Sequence, residues 1–382
     1  MKRFVILMLV LGLSFSAQIA RADWGAIKKL TWTPGESKYP AIAVDSYNNI
    51  HVVLFDDTPG NNEIYYLRST NGGTTWSLPT RLTWTSSYSE NPAIAIDCYN
   101  DIHVAWVEGT PGSAEIYCLK SSDGGVTWSK IQRLTWTSGA SDCPAIAVDM
   151  GNNIHVVWHD YTPGAPEIYC KKSTDGGATW SATKNLSWTS GHSYTPAIAQ
   201  DSGNAIHIVW HDFTNGPAEI YYKKSTDGGS TWGAAKRLTW TLGDSASPAI
   251  ALDSGNNIYV VWKDETSGKS EIYFRKSASG GATWGAAQRL TWNSGWSEKP
   301  ELAIDSGNAI HIVWYDDTPG NAEIFYKRST NGGTTWGSTQ RLTWNSGWSG
   351  YPAIAIDSSK TIHVVWYDTT TGNFDIYYRN GK

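Results

Sequence analysis

A repeat of 52 residues runs through this chain without an insertion or a deletion. It is marked by the tripeptide Leu-Thr-Trp, which becomes Leu-Ser-Trp in one copy. The leucines of the seven copies are Leu30, Leu82, Leu134, Leu186, Leu238, Leu290 and Leu342. Internal repeats of about 20 to 50 residues are the sequence signature of solenoids, propellers and other arrays, so this feature restricts the fold more than any other.

Each repeat reads as four short β-strands, which we call A to D. The strands are short apolar or β-branched runs separated by Gly, Asn, Asp and Pro, and no segment of the repeats has a helical period. In the fourth repeat they are residues 196–201, 205–210, 219–225 and 236–240. A four-stranded meander of this length is typical of a β-propeller blade. We therefore predict an all-β fold, a seven-bladed β-propeller with four antiparallel strands in each blade.

The two ends of the chain predict how the ring closes. Residues 23–32 match residues 231–240, which form strand D of another repeat, whereas residues 375–380 form strand C and have no strand D after them. An open ring would leave an unpaired strand edge at each end. We therefore expect the N-terminal strand to join the C-terminal blade.

The first 22 residues have the features of a signal peptide. Lys2 and Arg3 precede an apolar run at residues 4–15, and Ala20-Arg21-Ala22 is a typical cleavage site. The run is too short to span a membrane, which takes about 20 apolar residues. We expect cleavage after Ala22, one propeller domain over residues 23–382, a secreted or periplasmic location and no membrane insertion.

The charge that remains excludes one class of partner. Without the leader the chain has 27 lysines and arginines against 35 aspartates and glutamates. Nucleic-acid binding needs clustered positive charge, so no nucleic-acid partner is expected.

The positions of the four cysteines argue against disulfide bonds. Cys118 and Cys170 lie one repeat apart, and Cys98 and Cys143 fall at opposite ends of a predicted strand. Disulfides need Cα atoms within about 7 Å, so we expect four free thiols.

A glycine-rich motif closes strand C in six repeats. The copy Ser173–Trp180 reads STDGGATW, and the others begin at Ser69, Ser121, Ser225, Ser277 and Ser329. The pattern Ser-x-Asp-x-Gly-x-Thr-Trp resembles the Asp box of the sialidase-like (BNR-repeat) β-propellers, although Asn71, Asn331 and Ser279 replace the Asp in three copies. Ser and Asp can accept backbone N–H bonds in such a turn, and Trp can pack between sheets. The resemblance implies ligand binding on the opposite face, so the boxes are expected to be structural.

Two further positions repeat too regularly to be catalytic. A histidine occupies the same place in strand B of six repeats, with Tyr259 in the other, and an aspartate ends strand A in all seven. Hydrogen-bonded roles in the core and in the strand A turn are expected for them. The histidines are His51, His103, His155, His207, His311 and His363.

Candidate ligand-binding residues lie where the repeats differ, in the D–A and B–C loops. Of 22 tryptophans, only Trp296 and Trp348 lie outside repeated positions, and both are in D–A loops. With Tyr315, Tyr351 and Tyr367 they predict an aromatic platform for a sugar, next to Asp316 and Asp368. The alternatives are that these aromatic residues are ordinary surface variation and that each B–C aspartate closes its own loop.

A second group in these loops could bind a metal ion. His159, His192 and His211 lie near Asp160 and Asp212, and imidazole and carboxylate groups are common ligands of transition metals. The three histidines come from different loops, however, and lack the spacing of a metal-binding motif. We expect no metal and no cofactor.

The resemblance implies sialidase activity, but its catalytic residues cannot be placed in this chain. Sialidases of this type use three arginines, a Tyr–Glu pair and an Asp. All nine arginines after the leader lie at repeated positions outside the D–A and B–C loops, and lysines cannot replace their planar geometry. They are Arg68, Arg81, Arg133, Arg237, Arg275, Arg289, Arg328, Arg341 and Arg379.

We therefore predict no catalytic residues and a non-catalytic, monomeric propeller that binds carbohydrate through the face opposite the Asp boxes. Two alternatives stay open: a sialidase-like glycoside hydrolase and a scaffold that binds another exported protein.

Overall fold

The computed structural model describes residues 21–110, 112–162 and 164–382, and these form seven four-stranded antiparallel sheets. The A strands surround the central axis and are β2 (Ser37–Val44), β6 (Ser89–Ile96), β10 (Ser141–Val148), β14 (Ser193–Gln200), β18 (Ser245–Leu252), β22 (Ser297–Ile304) and β26 (Ser349–Ile356). The B strands are β3 (Ile50–Asp56), β7 (Ile102–Thr110), β11 (Ile154–Asp160), β15 (Ile206–Asp212), β19 (Ile258–Asp264), β23 (Ile310–Asp316) and β27 (Ile362–Asp368).

The two outer strands of each sheet follow in the same order. The C strands are β4 (Glu63–Ser69), β8 (Ser113–Ser121), β12 (Glu167–Ser173), β16 (Glu219–Ser225), β20 (Glu271–Ser277), β24 (Glu323–Ser329) and β28 (Asp375–Gly381). The D strands are β5 (Thr80–Arg81), β9 (Gln132–Arg133), β13 (Lys184–Asn185), β17 (Lys236–Arg237), β21 (Gln288–Arg289), β25 (Gln340–Arg341) and β1 (Lys28–Lys29). We number the blades 1 to 7 by their A strands. The prediction of a seven-bladed propeller is confirmed.

The ring closes through the N-terminal strand, as expected. Strand β1 pairs antiparallel with β28, with Lys28 opposite Tyr378 and Lys29 opposite Tyr377. Blade 7 therefore has the order β1-β28-β27-β26. The predicted signal peptide covers residues 1–22, of which residues 1–20 lie outside the described part. In that described part no helix is both long enough and apolar enough to cross a membrane.

The core lies between neighbouring sheets. Strand B is buried along its length because its side chains face a sheet on either side, as in β15, and it ends in a buried tryptophan in six blades. The Asp-box tryptophan of one blade packs edge-on against the strand C tyrosine of the preceding blade, as Trp128 does against Tyr66 with ring centroids 5.0 Å apart. Such contacts join each sheet to the next.

The Asp boxes are turns held by their own side chains. In the box of blade 3, the Gly177 N–H donates to Ser173 Oγ at 2.8 Å, and the Thr179 N–H donates to Asp175 Oδ1 at 2.8 Å. Thr179 Oγ1 donates to the other carboxylate oxygen of Asp175 at 2.5 Å. Both carboxylate oxygens are therefore engaged within the turn, which supports the structural role predicted for the motif.

The repeated histidines form buried hydrogen-bonded groups. His207 Nε2 lies 3.3 Å from Asp201 Oδ2, and its Nδ1 lies 2.8 Å from the Tyr222 hydroxyl. Burial lowers the pKa of His207 to about 4, although the hydrogen bond with Asp201 acts in the opposite direction. In blade 5, Tyr259 replaces the histidine and donates to Asp253 Oδ2 at 2.6 Å. The strand B histidine, or Tyr259 in its place, is therefore buried and hydrogen-bonded to the aspartate that follows strand A, as expected.

All four cysteines are free thiols, and two of them replace a packing tyrosine. Cys118 and Cys170 occupy the strand C position that Tyr66, Tyr222 and Tyr326 fill in other blades. Next to Cys118 a cavity of about 210 Å³ separates blade 2 from the Asp box of blade 3. His103, Ile154, Gly177 and Trp180 are among its lining residues. The missing ring therefore leaves a gap in the packing between these sheets.

Candidate functional site

The seven A strands enclose a central channel of about 430 Å³. Each A strand contains a β-bulge at the residue before its proline, for example between Lys38 and Ala41. At that residue the backbone φ lies between 44° and 51° in every blade, a left-handed conformation that non-glycine residues seldom adopt. These seven residues line the channel, and we call them the channel ring: Tyr39, Asn91, Cys143, Thr195, Ser247, Lys299 and Tyr351.

The channel ring lies at the start of strand A and therefore near the D–A loops. Ser37 pairs with Asp56, where strand B leads into the B–C loop, so both variable loops meet the ring on one face. The A–B turns and the Asp boxes lie at the other ends of the strands. The bulge holds six different residue types at these seven positions, all with a strained backbone. The fold therefore keeps an unfavourable backbone conformation at a position where the side chain varies.

Aromatic rings from blades 6, 7 and 1 meet beside this ring. Tyr39 and Tyr351 have centroids 4.6 Å apart, and Tyr351 stacks on Tyr367 at 5.3 Å. Trp348 contacts Tyr315 at 5.2 Å and Tyr367 at 5.3 Å. The structure thus brings together four of the five aromatic residues predicted for the platform and adds Tyr39, which sequence reasoning missed.

Trp296 lies apart from this cluster. Its side chain is 38 % exposed, and within the described residues it makes none of the ring contacts that join the other four. Its backbone N–H donates to Asp317 Oδ1 at 2.6 Å, so its own D–A loop is tied to the adjacent B–C loop. Trp296 therefore stands at the edge of the face rather than at the channel.

Asp316 and Asp368 lie beneath the surface and close their own loops. Their side chains are buried, and Oδ1 of each accepts the backbone N–H two residues later, from Thr318 at 2.8 Å and from Thr370 at 2.7 Å. Oδ2 of Asp316 accepts from Ser297 at 2.5 Å, and Asp368 is bound in the same way by Ser349 at 2.6 Å. Each aspartate therefore closes its own B–C loop, which is the alternative role that the sequence left open. Neither carboxylate is free to contact a ligand.

The charged groups that line the channel among the described residues belong to blade 6. Glu301 occupies a position that is alanine in the other six blades, and Lys299 lies two residues before it. The Glu301 side chain is exposed to the solvent in the channel, but the protein that surrounds the channel desolvates the carboxyl group and raises its pKa to about 7, with Lys299 opposing the shift. Lys299 Nζ lies 5.2 Å from the centroid of Tyr351. One carboxyl and one ammonium group therefore adjoin the aromatic cluster.

The three loop histidines gather around one tyrosine instead of a metal site. The rings of His159, His192 and His211 lie 5.2, 6.1 and 5.7 Å from Tyr194. Burial lowers the pKa of His159 and His211, the latter to about 3, and His211 Nδ1 lies 2.7 Å from Thr195 Oγ1. In the described ranges, no group of three His, Cys, Asp or Glu side chains could hold a metal ion.

The arginines are occupied in the outer strands, as their repeated positions suggested. Arg81 Nη2 bonds to the buried Glu63 at 2.8 Å, and the equivalent pairs recur in four other blades at 2.5 to 2.8 Å. The channel lining contains lysine but no arginine among the described residues. A group of arginines that could hold a substrate carboxylate is therefore missing from this lining.

The comparisons with known proteins agree with this architecture. The chain matches the model of the BNR repeat-like domain over residues 63–312. No curated protein sequence matches it. An ulvan lyase solved with a bound GlcA–Rha3S saccharide is similar in structure, at 11% identity over 91% of this chain and 94% of that chain, with a TM-score of 0.64.

Two further solved structures are similar at equally low identity. A protein of unknown function from Dyadobacter fermentans has 14% identity, with 93% of this chain and 99% of that chain covered and a TM-score of 0.58. An intramolecular trans-sialidase from Ruminococcus gnavus has 12% identity, with 90% and 94% covered and a TM-score of 0.51. These likenesses show the fold alone. Because the family model spans more than half of the chain, the protein belongs to the BNR repeat-like family.

Proposed function

We propose that the protein binds a carbohydrate chain at the mouth of its central channel, on the face opposite the Asp boxes, and does not cleave it. The observation that carries this proposal is the contact of Tyr39 and Tyr351 across the boundary between blades 1 and 7, with Lys299 above Tyr351. Aromatic faces accept the C–H faces of sugar rings, and nearby charged groups can bond their hydroxyls. The channel mouth offers both on one surface.

The ligand class is also supported by similar folds. The ulvan lyase is a polysaccharide lyase solved with a bound saccharide, and the other similar enzyme is a trans-sialidase. Their identity to this chain is too low to transfer a substrate or a residue. They favour a carbohydrate over another exported protein as the occupant of this face, and the aromatic cluster favours it independently.

The arrangement of carboxyl groups supports binding without cleavage. Glycoside hydrolysis uses two carboxyl groups, one on each side of the scissile bond. Glu301 is the one carboxyl group among the described residues that line the channel, since Asp316 and Asp368 are turned into their own loops. Among the described residues, no second carboxyl group lines the channel beside Glu301.

A glycoside hydrolase is the second candidate because of Glu301. A carboxyl group whose pKa is raised to about 7 suits general acid–base catalysis near neutral pH. Hydrolysis of a fluorogenic sialoside, lost in Glu301→Gln, would establish this candidate and overturn the non-catalytic proposal.

The direct test of binding is a glycan array. The double variant Trp348→Ala with Tyr351→Ala should lose the glycan signal of the unmodified protein. A matched control is Tyr47→Ala with Tyr99→Ala, because these exposed rings lie in A–B turns on the other face. The control should bind normally, and an unchanged signal in the Trp348 and Tyr351 variant would refute the site.

A further inference from the structure

The tryptophans of the Leu-Thr-Trp repeats stand on the outer rim of the propeller. All seven follow strand D, the outermost strand, and each is between 59 and 78 % exposed. Single exposed aromatic residues are common on protein surfaces, but surface variation does not keep one large apolar residue exposed in every repeat. They are Trp32, Trp84, Trp136, Trp188, Trp240, Trp292 and Trp344.

Cations hold most of these rings in place. The Arg237 guanidinium, in strand D of blade 4, lies 5.7 Å from the centroid of Trp240, and Arg275, in strand C of blade 5, lies 5.8 Å from it. Trp136, Trp292 and Trp344 are flanked by two cations in the same manner. A ring that is fixed before binding loses less conformational entropy when a ligand stacks on it.

The rim differs from the rest of the molecule in its charge. The strand D arginines are neutralised by buried glutamates, as Arg289 is by Glu271 at 2.5 Å. The strand C cations bond to backbone carbonyls instead, as Lys327 does to Leu290 O at 2.8 Å. A carbonyl does not neutralise a full charge, so each such site keeps one positive charge in a chain with excess acidic residues.

Two of the rim tryptophans border a groove: Trp292, and Trp32, which lies beside a groove of about 530 Å³ with Lys28 and Lys29. Trp292 borders a groove of about 470 Å³ whose wall includes Asn293, Thr318, Lys327 and Arg341. Asp316 also lines it, with a carboxylate that is buried and bonded to Ser297. The groove thus combines an exposed aromatic ring, a positive charge, and amide and hydroxyl groups. These are the groups needed to stack a pyranose ring, to pair with an anionic substituent and to bond hydroxyls.

We propose that these rim tryptophans form a belt of repeated binding sites for an acidic polysaccharide, separate from the channel mouth. The four sites with two flanking cations, at Trp136, Trp240, Trp292 and Trp344, contribute most of the affinity. Repeated sites on one rigid ring engage a long chain together, so the overall affinity exceeds that of any single site.

The chain provides its own matched control. Trp32 and Trp84 each have one flanking cation. At Trp188, Asn185 replaces the arginine, and Lys223 bonds to Leu186 O at 2.7 Å without lying over the ring in the part of the chain described. The triple variant Trp240→Ala, Trp292→Ala, Trp344→Ala and the control Trp32→Ala, Trp84→Ala, Trp188→Ala remove the same number of exposed rings. They differ in the cations beside those rings.

Binding is measured by isothermal titration and by pull-down with polygalacturonate, with dextran as the neutral polymer and polyglutamate as the anion without sugar rings. The unmodified protein should bind polygalacturonate, with affinity falling as salt rises, and neither other polymer. The first triple variant should bind about tenfold more weakly, and the control should lose much less. Equal losses in the two variants, equal binding of polyglutamate, or no binding of polygalacturonate would overturn the proposal.

The outcome is separable from that of the channel mouth. The Trp348→Ala, Tyr351→Ala variant should keep its polygalacturonate binding, because its substitutions lie on the face and not on the rim. Urea unfolding of each variant identifies any loss that follows from misfolding. A Lys327→Gln variant should keep its fold and reduce the salt dependence of binding, and an unchanged salt dependence would count against the charge assignment.

Discussion

Replacing Cys118 with tyrosine should stabilise the protein, because that residue type fills the same position in neighbouring sheets. In blade 1, Tyr66 packs against Trp128 of the next blade, and its hydroxyl lies 2.7 Å from His51 Nδ1. The cavity of about 210 Å³ beside Cys118 lies at the corresponding place, with His103 in its wall. A tyrosine at residue 118 would occupy that space and place its hydroxyl near the His103 ring.

The size of the effect follows from the buried area. A tyrosine ring buries about 100 Å² more apolar surface than a cysteine, which is worth about 2.5 kcal/mol at 25 cal/mol per Å². The hydrogen bond with His103 adds about 1 kcal/mol, and ordering the ring costs about 1 kcal/mol in side-chain entropy. We therefore expect Cys118→Tyr to raise the free energy of unfolding by about 2.5 kcal/mol. The reverse change, Tyr66→Cys, should lower it by about 3 kcal/mol.

Urea unfolding followed by tryptophan fluorescence measures both changes. Cys98→Tyr is the matched control, because Cys98 is exposed and the same chemical change there fills no cavity. Its midpoint should equal that of the unmodified protein. The packing argument would be refuted if Cys118→Tyr failed to raise the midpoint, or if Cys98→Tyr raised it equally.

Three further predictions concern other parts of the structure. Gly125→Ala should destabilise the protein far more than Gly177→Ala, although both glycines have a positive φ. A Cβ at Gly125 would lie 2.2 Å from the Tyr66 hydroxyl, whereas a Cβ at Gly177 would lie 3.6 Å from its nearest atom, Ile154 Cδ1. Equal urea midpoints would contradict this steric explanation. Burial lowers the pKa of the strand B histidines, in His207 to about 4, so the unfolded chain binds protons at these residues more tightly than the folded protein does. The free energy of unfolding should therefore be greatest above pH 6.5 and fall as the pH drops towards 4. A flat pH profile would disprove this. Glu301 has a raised pKa of about 7, so the folded state loses stability as the pH rises from 4.5 to 7. Glu301→Ala should therefore raise the urea midpoint at pH 8 and leave it unchanged at pH 4, and equal shifts at both values would exclude ionisation as the cause.

The fold could be predicted almost completely because its information is repeated. An unbroken repeat allows each strand to be identified seven times, and the match of residues 23–32 to a strand D indicated how the ring closes. The repeated arginines and histidines were likewise interpreted as structural, and their buried partners agree with that interpretation.

The site could be predicted only in part, because the alternation of a strand fails at a bulge. Trp348, Tyr315, Tyr351 and Tyr367 were found because they depart from the repeat. Of the channel ring, only Tyr351 was among them, although the residue before the repeated proline differs in nearly every blade. The bulge turns that residue to the channel, and no periodic rule for strands predicts its direction. The variation before each proline was the available signal, and it also pointed to Lys299.

Exposure was the other property that the sequence did not reveal. A tryptophan at a repeated position reads as a core residue, and the strand B tryptophans are indeed buried. The rim tryptophans repeat just as regularly and stand in solvent. Similarly, an aspartate in a loop suits a ligand site or a turn equally well. Asp316 belongs to a position that is acidic in all seven blades, and such uniformity is typical of the turn.

The pairing of β1 with β28 affects the order of events during synthesis. Blades 1 to 6 each take their four strands from one continuous stretch, so each sheet can form soon after that stretch leaves the ribosome. Blade 7 cannot, because Lys28 and Lys29 must wait until Tyr377 and Tyr378, which lie after all the other blades in the sequence, have been made. Until then the nascent ring stays open, with the edges of its first and last sheets unprotected. Closure is thus a single step that follows the formation of the other six sheets and joins strands from opposite sides of the repeat array.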